Sequence, residues 1–109
     1  MDFIMEHQFN EEKGCWDVML SGEVDIFNST ELKTKLTEVL SQKAAPLHLH
    51  CQRLEFIDST ALGALVGVMK TVKSNGREMH LVSVKPNIMK LFRITNLDKV
   101  FIMEEGTHA

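Results

Sequence analysis

Phe3, Met5, His7 and Phe9 alternate with other residues along the first stretch of the chain, and the alternation resumes at Trp16, Val18 and Leu20 after the polar run Asn10-Glu11-Glu12-Lys13-Gly14. A period of two is what a strand with one buried face produces, so these stretches predict an N-terminal hairpin. The spacing then changes. Past the turn Gly22-Glu23-Val24-Asp25, the residues Leu32, Leu36, Val39 and Leu40 recur at helical intervals, and Asn28 stands three before Glu31 as in a capping box, which predicts an amphipathic helix over 29–41.

Pro46 introduces Leu47-His48-Leu49-His50-Cys51, a strand whose apolar side carries 47, 49 and 51 and whose other side carries the two histidines. The body of a second helix, 60–74, is apolar or small around most of its circumference, the mark of a helix packed on more than one side, and Asn75-Gly76 ends it. A third strand is predicted over 79–84. Pro86 suits the first turn of a helix carrying Ile88, Met89, Leu91 and Phe92, a last strand is predicted over 100–103, and 104–109 reads as a tail. Hairpin, helix, strand, helix, strand, helix, strand with right-handed crossovers is an α/β fold, a mixed sheet of about five strands with parallel central strands and three to four helices.

A chain of 109 residues with 44 % apolar content is the size of one domain, 1–109, with one core. The formal charge of −3, with Lys and Arg scattered among acids, leaves no footprint for nucleic acid and favours a protein partner. The longest apolar stretch, 61–69, is far shorter than the ~20 residues a bilayer-spanning helix needs, so no membrane insertion is expected. The first residues, Met1-Asp2-Phe3-Ile4-Met5-Glu6, lack the basic start and apolar run of a secretory signal, and the two cysteines, Cys15 and Cys51, form no C-x-x-C pair. A cytoplasmic protein with reduced thiols is expected.

The segment Phe56-Ile57-Asp58-Ser59-Thr60-Ala61-Leu62-Gly63 joins a strand to the buried helix and therefore falls at the C-terminal edge of the sheet, where sites of open α/β folds gather. Ser59 is a competent helix cap, and so is Asp58. The same position suits a phosphate, because free backbone N–H groups and the positive end of the helix dipole favour an anion there. A phosphoserine would add about −1.5 to −2 charges beside Asp58 and Asp25.

Three segments, in order, resemble the STAS family and in particular its stand-alone anti-sigma-factor antagonists: the turn Gly22-Glu23-Val24-Asp25, the block 56–63, and the run Ile88-Met89-Lys90-Leu91-Phe92-Arg93-Ile94-Thr95-Asn96-Leu97-Asp98-Lys99-Val100-Phe101. The resemblance implies a single STAS domain. It also implies that Ser59 is phosphorylated by an anti-sigma factor that is itself a serine kinase, that a PP2C-type phosphatase removes the mark, and that only the unphosphorylated protein binds the anti-sigma factor and so frees a sigma factor. Gly22, Glu23, Asp25, Asp58, Ser59, Thr60, Ala61, Leu62 and Gly63 would form the docking surface, with Asp25 as a solvated acid whose replacement costs folding less than about 0.5 kcal/mol. Thr60 is a second hydroxyl beside the acceptor. Many relatives have Gly at the position of Ala61, so the alanine is expected to firm the helix start and narrow the kinase's approach.

Other chemistries fit less well. An enzyme would need Ser59 or Cys51 as nucleophile with His48 or His50 as base, yet there is no G-x-S-x-G elbow, and Cys51 faces away from both histidines. A structural zinc needs four ligands and this strand offers two, with His7 and His80 the only histidines placed to join them, so no metal and no cofactor is expected. Phosphate loops of the G-x-x-x-x-G-K-[ST] and G-x-G-x-x-G types are absent. A STAS domain serving as scaffold or nucleotide sensor in another assembly is the alternative reading, and Met69 or Met89 would then offer an adaptable contact patch.

Overall fold

The computed structural model describes residues 2–105. These form β1 (Phe3–Asn10), β2 (Cys15–Val24), α1 (Ser29–Gln42), β3 (Leu47–Ile57), α2 (Ser59–Ser74), β4 (Met79–Val82), α3 (Pro86–Ile94), a 3₁₀ turn (Leu97–Lys99) and β5 (Ile102–Glu104). One sheet runs in the order β1-β2-β3-β4-β5, antiparallel between β1 and β2 and parallel thereafter. This is the α/β architecture that the periodicities predict.

The register sorts the strand residues onto two faces. Trp16 and Val18 of β2 stand opposite Leu47 and Leu49 of β3, which stand opposite Met79 and Leu81 of β4. All six are buried, and Leu32, Leu36 and Val39 of α1 with Leu62, Leu65, Val68 and Met69 of α2 complete the same core. Each fully buried aliphatic side chain contributes roughly 1.5–3 kcal/mol relative to exposure, so this face holds the fold together. Trp16 adds a polar tie, donating its indole N–H to the Lys43 carbonyl just beyond α1 at 2.9 Å. The other face carries Asp17, Met19, His48, His50 and His80 and stays partly solvated.

Several boundaries differ from the sequence expectation. β3 extends to Ile57 instead of ending near Cys51, because β2 continues alongside it to Val24 through two register shifts, between Met19 and Ser21 and between Gly22 and Glu23. The shifts spoil the alternation that would have announced the strand, leaving Gln52 and Arg53 exposed in succession. Gly22 belongs to this irregularity: its φ is +98°, and a Cβ there would collide with the Asp2 carbonyl oxygen. β4 stops at Val82, since Ser83 takes a left-handed φ of 58°. The last strand begins at Ile102, with Val100 closing the 3₁₀ turn, and Glu104 is part of it. Of the predicted tail, residues 106–109 lie outside the described residues. Met69, expected as a surface patch, is buried in the core, and Met89 is half-buried.

Candidate functional site

β2 and β3 end side by side, Val24 opposite Ile57, so the loop 25–28 that leaves β2 lies next to the start of α2. Asp58 joins the two. Its backbone N–H donates to the Val24 carbonyl at 3.3 Å. One carboxylate oxygen accepts from the Ala61 N–H at 2.8 Å, capping α2, while the other accepts from the Ile26 N–H at 2.9 Å, holding the neighbouring loop. Of the two competent caps, Asp58 takes the role, and Ser59 becomes the first residue of the helix.

That assignment leaves the Ser59 side chain exposed, and among the described residues its hydroxyl hydrogen-bonds to no protein group. It stands on the first turn of a 16-residue helix, whose leading N–H groups have no intrahelical acceptor. An anion on this oxygen meets the favourable end of the helix dipole.

Asp25 is not the solvated acid expected: it is 7 % exposed. Its Oδ1 accepts from the N–H groups of Phe27 at 2.9 Å and Asn28 at 3.3 Å, and its own N–H donates to Asn28 Oδ1 at 2.8 Å. Asn28 also donates from Nδ2 to the Glu23 carbonyl at 3.0 Å. The predicted capping box is therefore absent, because the Asn28 side chain folds back onto the loop and makes no cap hydrogen bond to α1. A short turn must satisfy its own backbone groups, and here Asp25 and Asn28 do so reciprocally.

The other expected docking residues divide by burial. Thr60 and Gly63 are exposed and share the surface with Ser59 and the half-buried Asp58. Ala61 and Leu62 are buried in the core, so they position the helix and offer no side-chain contact to a partner; the Ala61 methyl does not narrow the approach to Ser59. Gly22 and Glu23 are half-buried, and the Glu23 N–H is bound to the Asp2 carbonyl at 3.0 Å.

Two residues of the loop went unnoticed in the sequence. Ile26 and Phe27 are 60 % and 92 % exposed, and Phe56, near the end of β3, is 40 % exposed. Large apolar side chains on a surface mark interaction sites when they cluster. The signal was present: Ile26-Phe27 are consecutive large apolar residues in a polar turn, matching neither the strand period before them nor the helix period after.

The candidate nucleophiles and bases do not come together among the described residues. Among the described residues no histidine hydrogen-bonds Ser59; His50 Nε2 pairs instead with Asp17 Oδ1 at 2.8 Å. Cys51 is buried on the opposite face from His48 and His50, and burial pushes its thiol up to about 12. Among the described residues no helix is long and apolar enough to cross a membrane.

A mixed five-stranded sheet whose second helix opens on an exposed serine defines an α/β domain, and residues 7–109 match the STAS domain; the chain belongs to that family. Among its relatives is the anti-sigma-B factor antagonist of Staphylococcus aureus, 30 % identical over 94 residues that cover 86 % of this chain and 87 % of that one. The fold is similar to an anti-sigma factor antagonist of Mycobacterium paratuberculosis, with a TM-score of 0.82, 20 % identity, and coverage of 94 % of this chain and 86 % of that one. It is also similar to the Bacillus cell fate determinant SpoIIAA in its phosphorylated form, with a TM-score of 0.69, 23 % identity, and coverage of 98 % and 93 %.

Proposed function

We propose that the chain is an anti-sigma factor antagonist whose docking surface is built from Ile26, Phe27, Asp58, Ser59, Thr60 and Gly63, and which is switched by phosphorylation of Ser59. The partner is an anti-sigma factor with serine kinase activity, and a PP2C-type phosphatase resets the protein in the cytoplasm. The observation that carries the reading is the exposed Ser59 hydroxyl, unbonded among the described residues, at the helix start that Asp58 ties to an exposed apolar loop. Kinship with the staphylococcal antagonist supports it.

The switch follows from charge and desolvation. In the unmodified protein a partner covers Phe27 and Ile26 and brings a kinase active site over Ser59. Phosphate adds about −1.5 to −2 charges to this surface, next to the Asp58 carboxylate, and opposes burial of the apolar contacts. The fold itself tolerates the group, because the helix N-terminus stabilises an anion by roughly 0.3–1 kcal/mol.

The test is labelling by a purified anti-sigma factor kinase with ATP. Wild type should incorporate one phosphate and Ser59→Ala none, while Ser59→Ala still binds the kinase. Since Asp58 and not Ser59 caps the helix, this substitution should change stability by less than about 0.5 kcal/mol. Equal labelling of Ser59→Ala would overturn the acceptor assignment. A large loss of helical circular dichroism on phosphorylation would overturn the surface-charge mechanism.

A further inference from the structure

The polar face of the sheet gathers metal-ligating groups from neighbouring strands. Asp17 of β2 stands opposite His48 of β3, which stands opposite His80 of β4. Val82 of β4 stands opposite Glu104 of β5, bringing that carboxylate within reach of His80. The rings of His48 and His80 stack, their centroids 4.2 Å apart and their planes 28° apart, and His80 Nδ1 lies 3.1 Å from Glu104 Oε2. One ligand atom from each of His48, His80 and Glu104 falls within 4.8 Å of the other two.

We propose that His48, His80 and Glu104 form a binding site for a borderline divalent transition-metal ion such as Zn²⁺. Tetrahedral coordination at about 2.0–2.1 Å places ligand atoms about 3.3 Å apart, so side-chain rotation of the stacked rings and the carboxylate closes the remaining gap. Two imidazoles and one carboxylate favour Zn²⁺, Cu²⁺ or Ni²⁺ over the oxygen-preferring Mg²⁺ and Ca²⁺. Three protein ligands leave a coordination position open to water or to a group brought by another molecule.

The surroundings favour a cation. His48 is half-buried between Asp17 on β2 and His80 on β4. Burial acts upward on the Asp17 carboxyl, but hydrogen bonds from His50 and Asn10 outweigh it and keep it anionic beside the site. A second set, Cys15, Asp17 and His48, shares one histidine. It is the weaker candidate, because Asp17 is already held by His50 and burial raises the Cys15 thiol, so that binding there must first remove a proton. The sequence offered two histidines of one strand, with His7 and His80 to join them across the sheet; the structure brings His80 to His48 and supplies the third ligand, Glu104, from β5.

The site lies far from the phosphoacceptor. His48 is near the beginning of β3 and Ser59 follows its end, with about 30 Å of extended strand between His48 and Ile57. Binding would pin β5, a three-residue edge strand, to β3 and β4.

Isothermal titration of untagged, chelator-treated protein with ZnCl₂ should give one site per chain and a raised melting temperature. His48→Ala, His80→Ala and Glu104→Gln should each weaken binding by at least about tenfold. His7→Ala, on the other face, should leave it unchanged. Circular dichroism checks that each variant folds, and Co²⁺ provides an independent reading in the unaltered protein. Cobalt d–d bands without a thiolate-to-metal charge-transfer band are expected. A stoichiometry near zero, undiminished affinity in His48→Ala and His80→Ala, or a thiolate band assigning the ion to Cys15 would each overturn the proposal.

Discussion

Asp58 and Asp25 carry the geometry of the candidate site through four hydrogen bonds that their carboxylates accept from backbone N–H groups, and neither is an ordinary surface acid. Asp25 is the sharper case. As a buried acceptor it satisfies the Phe27 N–H, which loses its partner when the carboxylate is removed, whereas the Asn28 N–H keeps the Asp25 carbonyl at 3.3 Å. Asp25→Ala should therefore lower stability by about 1–3 kcal/mol, visible as a reduced urea midpoint, in contrast to the near-neutral outcome expected from a solvated turn acid. A midpoint unchanged from wild type would show that water replaces the carboxylate. The sequence made Asp25 conspicuous through family resemblance, yet it could not reveal burial, because a turn residue's exposure depends on how Asn28 folds back over it. At Ser59 the same limit applied: two adjacent residues were both competent caps, and only the backbone geometry selects Asp58.

The loop 25–28 is the element on which the proposed recognition turns, since Asp25, Asn28 and Asp58 hold it while its exposed surface comes from Ile26 and Phe27. Phe27→Ala should separate the two roles. With 92 % of the side chain already in solvent, the substitution should shift stability by no more than about 0.5 kcal/mol. Affinity for the anti-sigma factor should fall roughly thirtyfold, about 2 kcal/mol, as for an aromatic anchor at an interface. Surface plasmon resonance alongside urea unfolding distinguishes this from a generally weakened protein, and unchanged affinity would remove Phe27 from the interface. The helices and strands around the loop were largely legible, α1, α2 and α3 within one residue at their predicted starts or ends, because each buries one face at a regular period. The latter half of β3 was not, because its register shifts break that period.

At the scale of the whole molecule, the architecture was readable from the alternation of two periods, whereas the site was readable only where a motif marked it. Ser59, Asp58 and Thr60 stood in the marked block and do reach the surface together; Ala61 and Leu62 stood in the same block and face the core. A motif reports that residues travel together, not which way each side chain points. The core's closure can be measured through its thiols. Cys15 and Cys51 are both buried, the first raised above the usual thiol range by burial and Asp17, the second to about 12 by burial alone. At pH 8 both remain protonated, so iodoacetamide should leave the native protein unmodified over minutes and label two sites in urea. Rapid labelling of Cys51 in native buffer would show that the core opens locally.

The strand order also governs how such a chain acquires its shape. Each strand of the sheet pairs with the next one in sequence, but the parallel pairings must wait for a helical crossover, as where Trp16 pairs with Leu47 and Leu47 with Met79. Parallel pairing across such crossovers raises contact order and slows folding relative to a helical bundle. The Asp58 clamp, the loop 25–28 and α2 are all in place once the polypeptide has been synthesised through Ser74, before β4, α3 and β5 are added. During translation, the segments that build the proposed docking surface are therefore completed early, and the edge formed by β5 is completed last.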